Sequence, residues 1–194
     1  MLKLGGLSLA AALSVAASGC AGIPRMLKSH DPLTIEEHRT LAAAYAARDM
    51  KDLSAREYRA ILRQSKNDPA ALIGLGNASF EQGKFRQAER YFRRALKAEP
   101  GHPAASNNVA MILVQKKKRL DEAEKLVLNV LDRSGQLRPY LLDTLANIYI
   151  LQGEKARAEA VLTEALAKAD PANSPLVSHL EESRRKLDPS TDPK

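Results

Sequence analysis

Residues 69–102 read PAALIGLGNASFEQGKFRQAERYFRRALKAEPGH. Leu72, Leu75, Gly76 and Ser79 fall at helical spacing, Gly83 interrupts them, and Ala88, Phe92 and Ala95 resume the spacing before Pro100 ends it. The stretch therefore predicts two short antiparallel helices joined at Gly83. Gly76 and Ala88 are small where the two helices must approach closely, and Phe92 is large because it fills the space beside them.

The pattern recurs on both sides. Before it, Leu41, Ala42 and Tyr45 take the first-helix places and Tyr58 and Ile61 the second, with Ser54 at the crossing and Asp49-Met50 in place of the glycine turn. After it, Val109, Ala110 and Leu113 lead to Ala123, Val127 and Val130 across a turn, Lys116 to Arg119, that has no glycine. The fourth unit runs Leu142, Leu145, Ala146 and Tyr149, then Gly153, then Ala158, Leu162 and Ala165, with Pro171 as the stop. The crossing residues Ala88, Ala123 and Ala158 are spaced by 35 positions. No single hairpin can bury both sides of its first helix, so each unit must use the next as part of its core. The units fall at about 35–68, 69–102, 103–137 and 138–172. A closing helix at 175–187 follows, begun by Asn173-Ser174-Pro175, and 188–194 reads as a disordered tail.

Small and large residues in this order over 34 positions resemble the tetratricopeptide repeat. The resemblance covers about 35–172. It implies an all-α, right-handed α-solenoid of about four helix hairpins with a C-terminal capping helix, its concave side lined by the first helices.

The N-terminus reads as a delivery device. Lys3 precedes an apolar run from Leu4 to Ala17, the build of a signal peptide over 1–19. Ala17-Ser18-Gly19-Cys20 resembles a bacterial lipobox, and Cys20 is the single cysteine of the chain. The resemblance implies cleavage before a lipid-modified Cys20, and 20–34 then reads as a tether. Ala21 after the cysteine, rather than Asp, resembles outer-membrane sorting in Gram-negative lipoproteins. The expected location is the outer membrane, facing the periplasm.

Composition narrows the function. The chain is 44% hydrophobic, has no Trp and only three Phe, and carries a formal charge of +7. The basic runs Lys116 to Arg119 and Arg184 to Lys186 have no interleaved aromatics to stack bases, which argues against nucleic acid. The four histidines are scattered, with no HExxH, GxSxG or phosphate loop, and Gly74-Leu75-Gly76 lies within a helix. The expectation is a protein without catalysis, cofactor, metal or small-molecule substrate.

The resemblance also implies which side chains face the groove. Carried onto this chain they are Arg39 and Ala43; Ile73, Asn77, Phe80 and Glu81; Asn107, Met111, Val114 and Gln115; and Asp143, Asn147, Ile150 and Leu151. Ile73, Phe80, Met111, Val114, Ile150 and Leu151 would form an apolar floor, and Asn77, Asn107 and Asn147 a polar ladder able to hold a peptide backbone. Such a groove suits an amphipathic helix of a protein partner. A clamp for acidic chain ends would need several cations there, and Arg39 alone qualifies. Residues 83–126, with Asn107-Asn108, resemble the repeat lipoproteins that assist type IV or tight-adherence pili, in which such proteins act as pilotins for the secretin pore. Two other readings remain at this stage: an adaptor for peptidoglycan enzymes or a periplasmic protease, and a subunit of an envelope polysaccharide or outer-membrane assembly machine.

Overall fold

The computed structural model describes residues 31–187. The expected leader, Cys20 and the tail 188–194 lie outside the described residues. Within them the chain forms nine α-helices: α1 (Ile35–Ala47), α2 (Lys51–Gln64), α3 (Pro69–Glu81), α4 (Phe85–Ala98), α5 (Pro103–Gln115), α6 (Leu120–Leu128), α7 (Arg138–Gln152), α8 (Lys155–Lys168) and α9 (Ser174–Leu187). They pair in sequence as four hairpins, α1 with α2, α3 with α4, α5 with α6 and α7 with α8. The second helix of each hairpin packs on the first helix of the next, α9 packs on α8, and α5 also lies against α7. The described residues are an all-α solenoid.

Local chemistry sets the helix starts. Thr34 caps α1 in a reciprocal capping box with Glu37, whose carboxylate accepts from the Thr34 backbone N–H at 2.7 Å. Asp68 caps α3 by accepting from the Ala71 N–H at 2.8 Å, with Pro69 in the first turn. Asn173 accepts from the Leu176 N–H at 3.4 Å and so begins α9.

The small residues mark close approach, as their spacing predicts. Ala88, Ala123 and Ala158 are each fully buried. A Cβ on Gly76 would collide with the ring of Phe92, and a Cβ on Gly74 with the ring of Tyr58. Ser54, standing where the other hairpins have alanine, is buried and donates its hydroxyl to the Ala42 carbonyl at 2.9 Å. One cluster of buried residues then runs from Ala88 and Phe92 in α4 to Leu180 in α9, which is what shared interiors require.

Two places depart from the regular unit. The hairpin turns use left-handed backbone at Gly83 (φ +70°) and Gly153 (φ +80°), but the glycine-free turns place Asp49 (φ 56°), Lys117 (φ 50°) and Arg119 (φ 55°) there instead. The third hairpin is also shorter than the sequence suggests. The spacing places Val130 on its second helix, yet α6 ends at Leu128, and two 3-10 turns, Leu131–Arg133 and Gly135–Leu137, lead to α7. Ser134 Oγ and Arg138 Nη1 both donate to the Leu131 carbonyl, at 2.6 and 3.1 Å, and hold this irregular segment. Val130 still reaches the core, at 1% exposure.

Candidate functional site

The residues carried onto the inner positions divide into two groups with different surroundings. Those of the first two hairpins are largely engaged with their own fold. Arg39 donates to Glu36 at 2.9 Å and to Asp68 at 3.0 Å, tying α1 to the cap of α3. Glu81 accepts from Lys51 at 2.9 Å. Phe80 and Ile73 are half-buried against the core, and Phe80 meets Phe85 edge-on at 5.3 Å between ring centres. Asn77 is exposed, and its Oδ1 accepts from Asn108 Nδ2 at 2.9 Å, linking α3 to α5. Beside Asn77, Tyr58, Lys51, Glu81 and Gly74 line a cleft of about 210 Å³. Ala43 is exposed.

Those of the last two hairpins leave more apolar surface open. Met111 is 38% exposed, Ile150 37% and Leu151 38%, while Val114 packs on the core and Gln115 is exposed. Met111 belongs to α5 and the other two to α7, the pair of first helices that lie against one another.

The three asparagines make separate contacts instead of one continuous run. Asn107 is buried, with Nδ2 3.5 Å from Met111 Sδ and Oδ1 without a hydrogen-bond partner. Asn147 Nδ2 donates to the Asp143 carbonyl one turn back at 2.9 Å. Asp143 in turn lies 3.4 Å from His179 Nε2 of α9. Burial pushes the Asp143 carboxyl above its ordinary range, and the imidazole opposes that shift.

The basic turn is partly neutralised from within. Lys116 reaches Glu89 of α4 at 2.6 Å, Arg93 of α4 reaches Glu122 of α6 at 2.9 Å, and Arg119 pairs with Glu122. Burial alone would raise the Glu89 carboxyl, but Lys116 and Arg93 outweigh it and hold it below its ordinary value. One hairpin further on, Arg157 stacks over the Tyr149 ring at 3.9 Å and bonds Glu124, joining α6, α7 and α8. Among the described residues no group of three His, Cys, Asp or Glu is placed to hold a metal ion. No helix among them is long and apolar enough to cross a membrane.

Stacked helix hairpins with shared interiors and small crossing residues define the class as an α-solenoid. Residues 73–139 and 141–176 match tetratricopeptide-repeat profiles, together more than half of the chain, and the protein belongs to the tetratricopeptide-repeat family. Solved structures share the fold. The pilF protein of Pseudomonas aeruginosa superposes with a TM-score of 0.65 at 17% identity, over 82% of this chain and 77% of that one. A MamA fragment from Desulfovibrio magneticus RS-1 gives 0.60 at 19% identity, over 82% and 97%. YrrB, described as a TPR protein with an unusual peptide-binding site, gives 0.59 at 16% identity, over 77% and 75%.

Proposed function

We propose that this protein is an outer-membrane lipoprotein, held through an acylated Cys20 and facing the periplasm, whose repeats dock a partner in type IV or tight-adherence pilus and secretin assembly. The observation that carries the docking role is the apolar trio Met111, Ile150 and Leu151, left open on the first helices of the last two hairpins. Three large apolar side chains on neighbouring helices fit the apolar face of an amphipathic helix, and the polar Gln115 and Asn147 beside them suit its edges. The peptide-binding site in the description of YrrB supports a peptide-like ligand. The leader, the lipobox-like 17–20 and the resemblance of 83–126 to pilus-assembly lipoproteins support the rest of the reading.

Two measurements test it. Deleting the gene should abolish heat-stable secretin multimers in envelope fractions; unchanged multimers would remove the pilotin role. Palmitate should label the wild-type chain and not Cys20→Ser, and equal labelling would remove the anchor.

A further inference from the structure

The second helices of the hairpins differ in charge between the two ends of the array. The second helices of the first two hairpins, α2 and α4, together carry nine Lys and Arg against three Asp and Glu. Those of the last two, α6 and α8, carry four against five. Two of the three acids on α2 and α4 are already committed, Glu57 to His38 and Glu89 to Arg93 and Lys116. A face whose charges were simply solvated would be expected to mix signs along the whole array.

The unmatched cations surround one aromatic. Arg90, Tyr91, Arg94 and Gln87 line a cleft of about 260 Å³ on α4, and Tyr91 and Gln87 also line a smaller cleft with Arg59 and Asp52 of α2 and Lys84. Among the described residues Arg59, Arg90 and Arg94 have no carboxylate partner, and the Arg94 guanidinium donates only to the Lys66 carbonyl, at 2.7 Å. Where the chain enters the domain supplies a second, independent observation. Gln64, the last residue of α2, donates to the Leu33 carbonyl at 2.8 Å, so residue 33 is fixed beside the end of α2 that leads to Lys66 and Arg94. Leu33 lies thirteen positions after Cys20, at most ~45 Å of chain.

We propose that the α2–α4 face seats on a bilayer rich in anionic phospholipid, with headgroup phosphates accepting from Arg59, Arg90 and Arg94 around Tyr91. Guanidinium forks suit phosphate oxygens, and a tyrosine with an apolar body and polar tip suits the headgroup depth. A basic surface and one acylated residue together give the two signals that stable attachment takes. The orientation rests on the reading of Cys20 as the anchor; the charge preference does not.

The test uses the chain from residue 20 onward carrying Cys20→Ser, so that neither the apolar leader nor an acyl group contributes, and vesicles of phosphatidylglycerol with phosphatidylethanolamine against vesicles of phosphatidylcholine. Co-sedimentation in about 0.1 M salt should favour the anionic vesicles by about tenfold or more. Arg59→Glu with Arg90→Glu should remove that preference, and melting should be unchanged because neither side chain bonds within the fold. Arg59→Gln with Arg90→Gln should give an intermediate loss. Arg184→Glu with Arg185→Glu, the same charge change on α9, should leave binding within about twofold. Equal loss from both reversals, or no preference for anionic vesicles, would overturn the proposal. Retention on immobilised polyglutamate lost through Arg59 and Arg90, with vesicle binding intact, would also overturn it and assign the face to an acidic protein. If palmitate labels Cys20 while the vesicle preference is absent, the anchor stands and the face falls.

Discussion

Gly76 of α3 lies so close to the ring of Phe92 of α4 that no side chain fits between them. Helix propensity alone would make alanine at this position better by ~1 kcal/mol. Overpacking a ring that is 1% exposed costs ~1–3 kcal/mol, so the collision wins and Gly76→Ala should lower stability. Gly74→Ala meets Tyr58, which is half-buried and can swing outward, so its loss should be smaller. Chemical denaturation of the two variants checks the order.

The glycine-free turn between α5 and α6 stores backbone strain. Lys117 occupies a left-handed position, φ 50°, and its side chain is exposed. That conformation costs an L-residue ~1–2 kcal/mol, and the added freedom of the unfolded glycine chain offsets ~0.4–1 kcal/mol of the relief. Lys117→Gly should therefore stabilise by up to ~1 kcal/mol, read as a rise in melting temperature.

Two carboxylates should respond to pH with opposite signs. Glu89 is held below its ordinary 4.5, so its contribution is present above pH 4.5 and is lost as pH falls through its lowered folded value. Glu89→Gln should destabilise at pH 7 and become neutral in acid. Asp143 is raised above its ordinary 3.8, so its ionised form costs stability once pH exceeds the folded value, and that cost is absent below 3.8. Asp143→Asn should stabilise at pH 7 and lose its advantage in acid. Denaturant titrations at neutral and acidic pH compare the four states.

Met111→Glu with Leu151→Glu should cost ~1 kcal/mol or less each, since both side chains are already more than a third exposed. Capture of a secretin, the partner proposed above, from envelope extracts should nevertheless fail. Phe80→Glu behaves differently. The resemblance to the repeat family implies Phe80 on the apolar floor of the groove; there it packs on Phe85 and the core, so the charge should cost on the order of 2 kcal/mol of stability. Partner capture that survives the Met111 and Leu151 changes would remove the inner face as the docking site.

The repeat was legible because its small residues recur where backbones cross, and Ala88, Ala123, Ala158 and Phe92 lie where that spacing places them. The end of α6 was not. Val127, Val130 and Leu131 continue a helical spacing that a 3-10 turn satisfies equally well, and only Ser134-Gly135 signalled a break. The inner positions were legible as positions but not as surroundings. Apolar residues facing inward and apolar residues filling the core have the same period, so Ile73, Phe80 and Val114 could not be told from Met111, Ile150 and Leu151. The bonds between hairpins were also hidden, since Lys116 with Glu89, Asn108 with Asn77 and Arg157 with Glu124 join residues 27 to 33 positions apart.

The grip of Gln64 on the Leu33 carbonyl has a mechanical side. Tension applied to the polypeptide ahead of residue 33 is shared at once between both helices of the opening hairpin, through the Thr34 cap on one and the Gln64 amide on the other. A leash so fastened peels the stack from its first hairpin inward. The far hairpins, with their exposed methionine and leucine, would be the last to feel the load.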